Sequence, residues 1–479
     1  MMLRTFSLIG LVIYFAGLLL AVTREKKNHT VMDYFFAGRT LPFWALSITF
    51  IASWWGAGSA LSTADLAYED GLGAFWYYGV PVLLSTFLMM LSAGAIRRVG
   101  YLTQGRMMEA RYSSATARVL SFLVLIFMVF NAASQMVGIG DFFGTYLGLS
   151  YETAVLAGTV IVLIYSMFGG FRGVVLTDII QFVLLLISAV AVFLVGYLKA
   201  GGLPGIRQAA ALAGKEGFLN LGAGASKYAM YVITFGGAWM IQANVWQRIS
   251  AARTEKDAKK MTVMSFFAYI PLYLIVVLTG MAGLALYPSL PKGGVVTAIV
   301  MDYMSPALGA LVFIGISAAI MSTMDSLINT ASMTLILDLL PVDPDENKQL
   351  ARSRMATLGV TAAALLISMR IRSILEISWM ASDIITTGVL VPLLLGFVWK
   401  RGNTWGAIAS MTGGFGYCLY NLMIGMGVKL PSFWQAQSAQ QVILGVALSL
   451  VLYVTVSLLT PTENEKALAF MALARRKQK

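Results

Sequence analysis

Charge, cysteine and histidine are all scarce in this sequence. Of its 479 residues, 12% are Asp, Glu, Lys or Arg, about half the share found in soluble globular domains. Soluble, disordered and fibrous classes are thereby excluded. A single cysteine, Cys418, rules out a disulfide framework and any Cys-based metal site. A single histidine, His29, rules out a His-based metal cluster. One loop histidine and one lone thiol supply no nucleophile–base constellation, so the chain is not expected to be an enzyme.

Apolar residues are what the sequence has in quantity, at 58% of the total. That composition predicts an all-α polytopic membrane protein, at ~20 residues per span. A β-barrel would show short alternating segments instead. Thirteen apolar helices are predicted, over 3–22, 42–66, 74–96, 115–146, 151–168, 174–198, 227–246, 261–287, 307–336, 355–369, 374–399, 404–427 and 438–460. The first is long enough to span and has no small-residue cleavage motif behind it, so no signal peptide is expected.

An odd number of spans puts the termini on opposite faces. With the N-terminus outside, 25 of the 34 Lys and Arg residues fall in cytoplasmic segments and 9 fall outside. The positive-inside rule then selects N-out, C-in. This topology accounts for the net charge of +12, and no nucleic-acid partner is expected. The loops at about 199–226 and 288–306 are too short for a core. The basic tail, 461–479, suits an anionic cytoplasmic leaflet. A single domain over 1–479 is therefore expected in the cell inner (plasma) membrane, with its function inside the bundle. The bilayer and a small solute are the partners expected; no obligate protein partner is inferred.

Carboxylates within spans need a reason, because each costs about 2.5–3.5 kcal/mol at the bilayer centre. Asp178, Asp325 and Asp383 stand out. Asp178 has a plain reading as the ion-pair partner of nearby Arg172. Asp325 has nothing basic close in sequence. On a helix, Ser322, Asp325 and Ser326 share one stripe, with Thr323 beside it. Such a row of hard oxygens suits a hard cation. The competing reading has the hydroxyls bonding back to their own helix.

Glycines interrupt two spans. Gly56 and Gly58 lie near the middle of the second, and Gly236 and Gly237 in the seventh. Glycine tolerates an unwound backbone, and broken helices in transporters expose carbonyls to ions and half-helix ends to solute. Spans 2 and 7 occupy equivalent places in a five-plus-five inverted repeat. Candidate solute contacts are Trp54, Ser59, Gln135, Trp239, Gln242 and Trp379, with Asn131 and Asn244 as further amides. Trp76, Tyr77 and Tyr78 are expected in an interfacial aromatic belt.

Phe36-Ala37-Gly38-Arg39-Thr40-Leu41, the stretch from Gly169 to Gln181, Gln247-Arg248, and Met321 to Ser326 together resemble the sodium:solute symporter family over nearly the whole chain. Ser53-Trp54-Trp55-Gly56 through Tyr68, Ser382-Asp383, and Lys400 to Ala407 look closest to its high-affinity choline transporter branch. The resemblance implies a leucine-transporter-like fold with inverted repeats over 42–198 and 227–399, accessory spans over 404–460, and Na+-driven uptake by alternating access. It implies a sodium site of backbone carbonyls at Ala52, Trp55 and Ala319 with the Ser322 and Thr323 hydroxyls. A possible second sodium falls to Asp178, Asp325 and Ser326, with Asp325 standing where some members carry Ser. The choline branch carries Trp at the position of Gln242, which leaves an amino acid, a quaternary amine or a similar polar metabolite as the expected solute. The rival readings are a transporter-like sensor and a cation channel; the sequence shows no filter-like repeat of the kind a channel would need.

Overall fold

The computed structural model describes residues 2–24, 30–436 and 438–475; His29 lies outside them. Among the described residues the chain is helical, without strands. Helix α1 spans Met2–Arg24. Helices α2 (Phe43–Ala52) and α3 (Thr63–Asp70) are the two parts of one interrupted rod, joined through a π turn at Gly58–Ser62. Then come α4 (Phe75–Val99), α5 (Ser114–Leu147) and α6 (Tyr151–Lys199). A second interrupted rod consists of α7 (Ala225–Met240) and α8 (Ala243–Ala251). It is followed by α9 (Glu255–Leu286), α10 (Pro306–Thr334), α11 (Glu346–Arg370), α12 (Ile374–Leu395), α13 (Thr404–Gly425), α14 (Ser438–Leu459) and α15 (Asn464–Arg475). Short helices at Val31–Phe36, Gln104–Arg111, Gly202–Leu212 and Val295–Tyr303 lie between these rods.

Local sequence sets the ends. The Ser113 hydroxyl accepts from Thr116 N at 3.3 Å and starts α5, while Gly148, at φ 73°, stops it. The predicted spans at 151–168 and 174–198 form one continuous run that bends at Gly170, whose φ of 55° and ψ of −162° suit only glycine. Helix α11 begins at Glu346, well before the predicted 355. Its first turns are polar, so an apolar window misses them, but the Asp345 carboxylate caps Asn347 N at 2.9 Å.

Nine helical stretches among the described residues are long and apolar enough to cross a membrane. Their burial ranks them. Stretches in α5, α10 with its following turn, and α12 are each 78% buried, against 22% for α1 and 28% for α14. The first three form the core and the last two its rim. Val12, Ile13, Leu91 and Leu366 are largely exposed on the outside. An apolar outer surface of this kind suits lipid rather than water. This is a multi-pass membrane protein. Helix α15 packs Phe470 on Phe397 at 5.1 Å, and the Lys466 ammonium donates to Tyr112 O at 2.5 Å.

Candidate functional site

The first break explains the two glycines of the second span. Helix α2 stops at Ala52, and Trp54 N and Trp55 N both turn back to Ile51 O, at 3.1 and 3.2 Å. A side chain on Gly56 would put its Cβ 2.2 Å from Gln135 Oε1, and one on Gly58 would lie 2.3 Å from the Tyr78 hydroxyl. Glycine is needed at both positions for close approach. Gln135 Oε1 then accepts from Ala57 N at 2.8 Å, satisfying a backbone donor that the break leaves free.

Helix α10 runs beside this break. Thr323 Oγ1 lies 3.0 Å from Ala52 O and 3.4 Å from Ala319 O. Ser322 Oγ lies 3.3 Å from Ala52 O and 2.9 Å from Ala319 O. Two hydroxyls and two carbonyls from the two elements therefore meet in one buried group. The intrahelical bonds to Ala319 are the back-bonding expected of lone hydroxyls, while the bonds to Ala52 cross between elements. Trp55 lies alongside. It shares with Ala319 the lining of a small apolar cavity, and its ring packs on Tyr273 at 4.9 Å.

One turn further along α10, the chemistry changes from neutral to charged. Asp178, Asp325, Ser326 and Arg248 are all buried. Arg248 Nη2 donates to Ser326 Oγ at 2.7 Å and lies 3.5 Å from Asp178 Oδ2. Arg248 Nε reaches Thr49 O at 3.2 Å, and Nη1 reaches Asn244 O at 2.8 Å. Thr49 Oγ1 donates to Asp178 Oδ2 in a short bond, and Ser326 Oγ donates to Asp325 Oδ1 at 3.4 Å. The partner of Asp178 is thus Arg248 and not Arg172. Arg172 instead donates to Thr40 Oγ1 at 2.9 Å. Arg172 and Asp178 both follow the kink at Gly170 and stand six residues apart on one regular helix, so they project from different faces, while Arg248 reaches Asp178 from α8.

The second break corrects the sequence reading in position. Gly236 and Gly237 lie inside regular helix α7, and the interruption falls at Ile241 and Gln242, where ψ of Gln242 is 123°. The glycines serve packing. A Cβ on Gly237 would meet Thr386 at 3.0 Å, and Ser85 Oγ donates to Gly236 O at 2.9 Å. The two breaks touch through side chains, with Trp54 Nε1 donating to Gln242 Oε1 at 2.5 Å.

Between the breaks lies a cavity of about 40 Å³, room for roughly three waters. Trp54, Ser59, Gln135, Trp239 and Gln242 all line it, as does Asn131. Trp379 does not; it stacks on Tyr231 at 5.0 Å, farther along a column of rings. Tyr77 and Tyr78 form no lipid-facing belt. Both are buried among Tyr231, Phe235 and Trp239, and Tyr78 lines the cavity. Trp76 donates to Leu221 O at 2.9 Å. Asp383 stands apart from both groups and accepts from Gln441 Nε2 at 2.5 Å. Sequence reasoning missed Arg248, Thr49 and Tyr78 as members of the site. The Gln247-Arg248 pair was visible as a motif, but its depth was not.

The sequence profile described as "Sodium:solute symporter family" matches residues 34–414. The chain is similar to a sodium/glucose cotransporter of Vibrio parahaemolyticus, at 24% identity over 84% of this chain and 82% of the relative. It is similar to a sodium/pantothenate symporter of Haemophilus influenzae, at 26% identity over 89% and 91%. A high-affinity choline transporter of Drosophila melanogaster is also similar, at 23% identity over 84% and 67%. Among solved structures, a Na+-coupled sialic acid symporter in its outward-open state shares the fold, with a TM-score of 0.77 over 95% of this chain and 98% of that one at 18% identity. The chain belongs to the sodium:solute symporter family, and its work is the sodium-coupled symport of a small organic solute.

Proposed function

We propose that the neutral oxygen group at the first break is the sodium site that drives uptake. Ala52, Trp55 and Ala319 would offer carbonyls, and Ser322 and Thr323 hydroxyls. The observation that carries this is the meeting of the Ser322 and Thr323 hydroxyls with the Ala52 carbonyl, at 3.3 and 3.0 Å, across two elements. An ion held there ties the broken rod α2–α3 to α10. Ion and solute then help one another to the extent that they prefer the same conformation. An inward potential adds about 2.3 kcal/mol per charge per 100 mV. Asp178, Asp325 and Ser326 form the candidate second cation site, with Asp178 Oδ1 and Asp325 Oδ2 buried and unpartnered.

The solute is held between the breaks. Trp54, Trp239 and Tyr78 offer aromatic faces, and Ser59, Gln135 and Gln242 offer hydroxyl and amide groups. No charged side chain lines the cavity. That supports an amino acid, a quaternary amine or a similar polar metabolite over a solute requiring an ionic partner. Room for only a few waters means the cavity must widen to admit any of them, as alternating access requires. Trp379 joins only if that widening carries it inward.

The architecture behind this reading has thirteen spans, counting α6 as two about Gly170 and each interrupted rod as one. The repeats would cover 42–198 and 227–399 of a single transporter domain, with accessory spans over 404–460. The N-terminus would face outward and the C-terminus inward, in the plasma membrane; the charge bias of the loops supports this. The test is uptake of labelled choline, proline, pantothenate and glucose into proteoliposomes. The account expects one class to accumulate only with an inward Na+ gradient and to exchange in counterflow. Ion flux without saturable solute uptake would point to a channel instead.

A further inference from the structure

The charged group contains its own cation. Arg248 Nη2 lies 3.5 Å from the Asp178 carboxylate, and Ser326 Oγ, at 2.7 Å from the same nitrogen and 3.4 Å from Asp325 Oδ1, links it to the second carboxylate. The guanidinium and both carboxylates are fully buried. Their formal sum is one negative charge. Arg248 Nη2, at 2.7 Å from Ser326 Oγ and 3.5 Å from Asp178 Oδ2, sits among the oxygens that a bound cation would use. Each carboxylate still has one buried oxygen without a partner, Asp178 Oδ1 and Asp325 Oδ2. Unpaired buried anionic oxygens are costly and call for a counter-charge.

We propose that Arg248 is a built-in counter-cation that limits this site to one monovalent ion and excludes divalent ones. With Arg248 in place, one Na+ brings the group to neutrality, and Ca2+ would leave it positive. Without Arg248, two carboxylates and the hydroxyls of Thr49, Ser326 and Ser53, whose Oγ lies 3.5 Å from Ser326 Oγ, form an all-oxygen, doubly negative set. Such a set is what Ca2+ takes, and two unscreened carboxylates repel until a cation intervenes. The planar fork fits the role. From its own helix α8, where Nη1 donates to Asn244 O, it reaches α2 through Nε to Thr49 O and α10 through Nη2 to Ser326 Oγ, three acceptors spread around one planar fork and not gathered on a single ammonium nitrogen. The cation–π contact of Arg248 over Phe171, at 5.3 Å, holds the fork from the α6 side.

This inference rests on the reading of the charged group as a cation site, and the experiment separates the two. The full chain is purified as wild type, Arg248→Gln and Arg248→Gln/Asp325→Asn, and its thermal unfolding is followed against NaCl, KCl and CaCl2 at constant ionic strength. Wild type should respond to Na+ and not to Ca2+. Arg248→Gln should gain a saturable Ca2+ response, at concentrations about tenfold or more below any at which CaCl2 shifts wild type. The double variant restores the net charge and should lose the Ca2+ response. Recovery of folded Arg248→Gln only with CaCl2 present, or of the double variant alone, also supports the proposal. Folded Arg248→Gln with the ion responses of wild type overturns it. So does failure of both variants to fold, which makes Arg248 a structural hydrogen-bond donor. If wild type itself shows no preference for Na+ over K+, the sodium reading fails, whatever Arg248 does.

Discussion

Two adjacent turns of α10 face the broken rod with opposite chemistry. Around Ser322 and Thr323 the donors are neutral, two hydroxyls and two carbonyls. Around Asp325 and Ser326 they are charged and already contain a cation, Arg248. A neutral oxygen group is cheap to bury and can be vacated and refilled. A charged group depends on its ion pairs, and removing Asp178 or Arg248 leaves the other uncompensated. The neutral turn therefore suits an ion that comes and goes each cycle. The charged turn ties α2, α6, α8 and α10 together.

This contrast can be broken in order of effect. Asp178→Ala leaves Arg248 without its carboxylate and should cost about 3–5 kcal/mol, read as lost yield and a lowered unfolding midpoint in detergent. A midpoint near that of wild type would erase the distinction between the turns. Gly56→Val overfills the space beside Gln135 and Thr323. At about 1–3 kcal/mol of overpacking, the protein should still insert, while Na+-driven uptake in proteoliposomes falls by roughly one to two orders of magnitude. Full uptake would mean that the break relaxes more freely than the contacts suggest. Trp54→Phe removes the donor to Gln242 Oε1. A neutral hydrogen bond of about 1 kcal/mol predicts a several-fold rise in the solute KM with little change in sodium half-saturation. Trp379→Ala, outside the cavity, should change that KM least, by less than about threefold. A larger change would show that the aromatic column moves inward during transport.

Much of the fold was legible because a bilayer demands long apolar runs. The ends of α5, α10 and α12 came within a few residues of their predicted positions. Kinks and breaks were read less well. Gly56 and Gly58 marked a true interruption. Gly236 and Gly237 did not, because a glycine can serve a helix–helix contact as readily as an unwound turn. In the site, helical spacing marked the hydroxyl stripe at Ser322 and Thr323 and the glycines marked the break, but only the family resemblance joined Ala52 to them. Arg248 could not, since only tertiary packing sets the depth of a motif arginine. The same limit moved Tyr77 and Tyr78 from the expected lipid interface into the interior. Ring-rich starts of spans look alike in sequence whether they face headgroups or a solute path.

The central claim is that Na+ binds where Ser322 and Thr323 meet the Ala52 carbonyl. It is tested most directly by a sodium titration of thermal stability on purified wild type and Thr323→Ala. The account predicts that the variant folds with a midpoint in K+ close to that of wild type, while its Na+ half-saturation rises about tenfold, the worth of one lost ligand near 1.4 kcal/mol. An unchanged half-saturation, with the midpoint lowered equally in Na+ and K+, would contradict it.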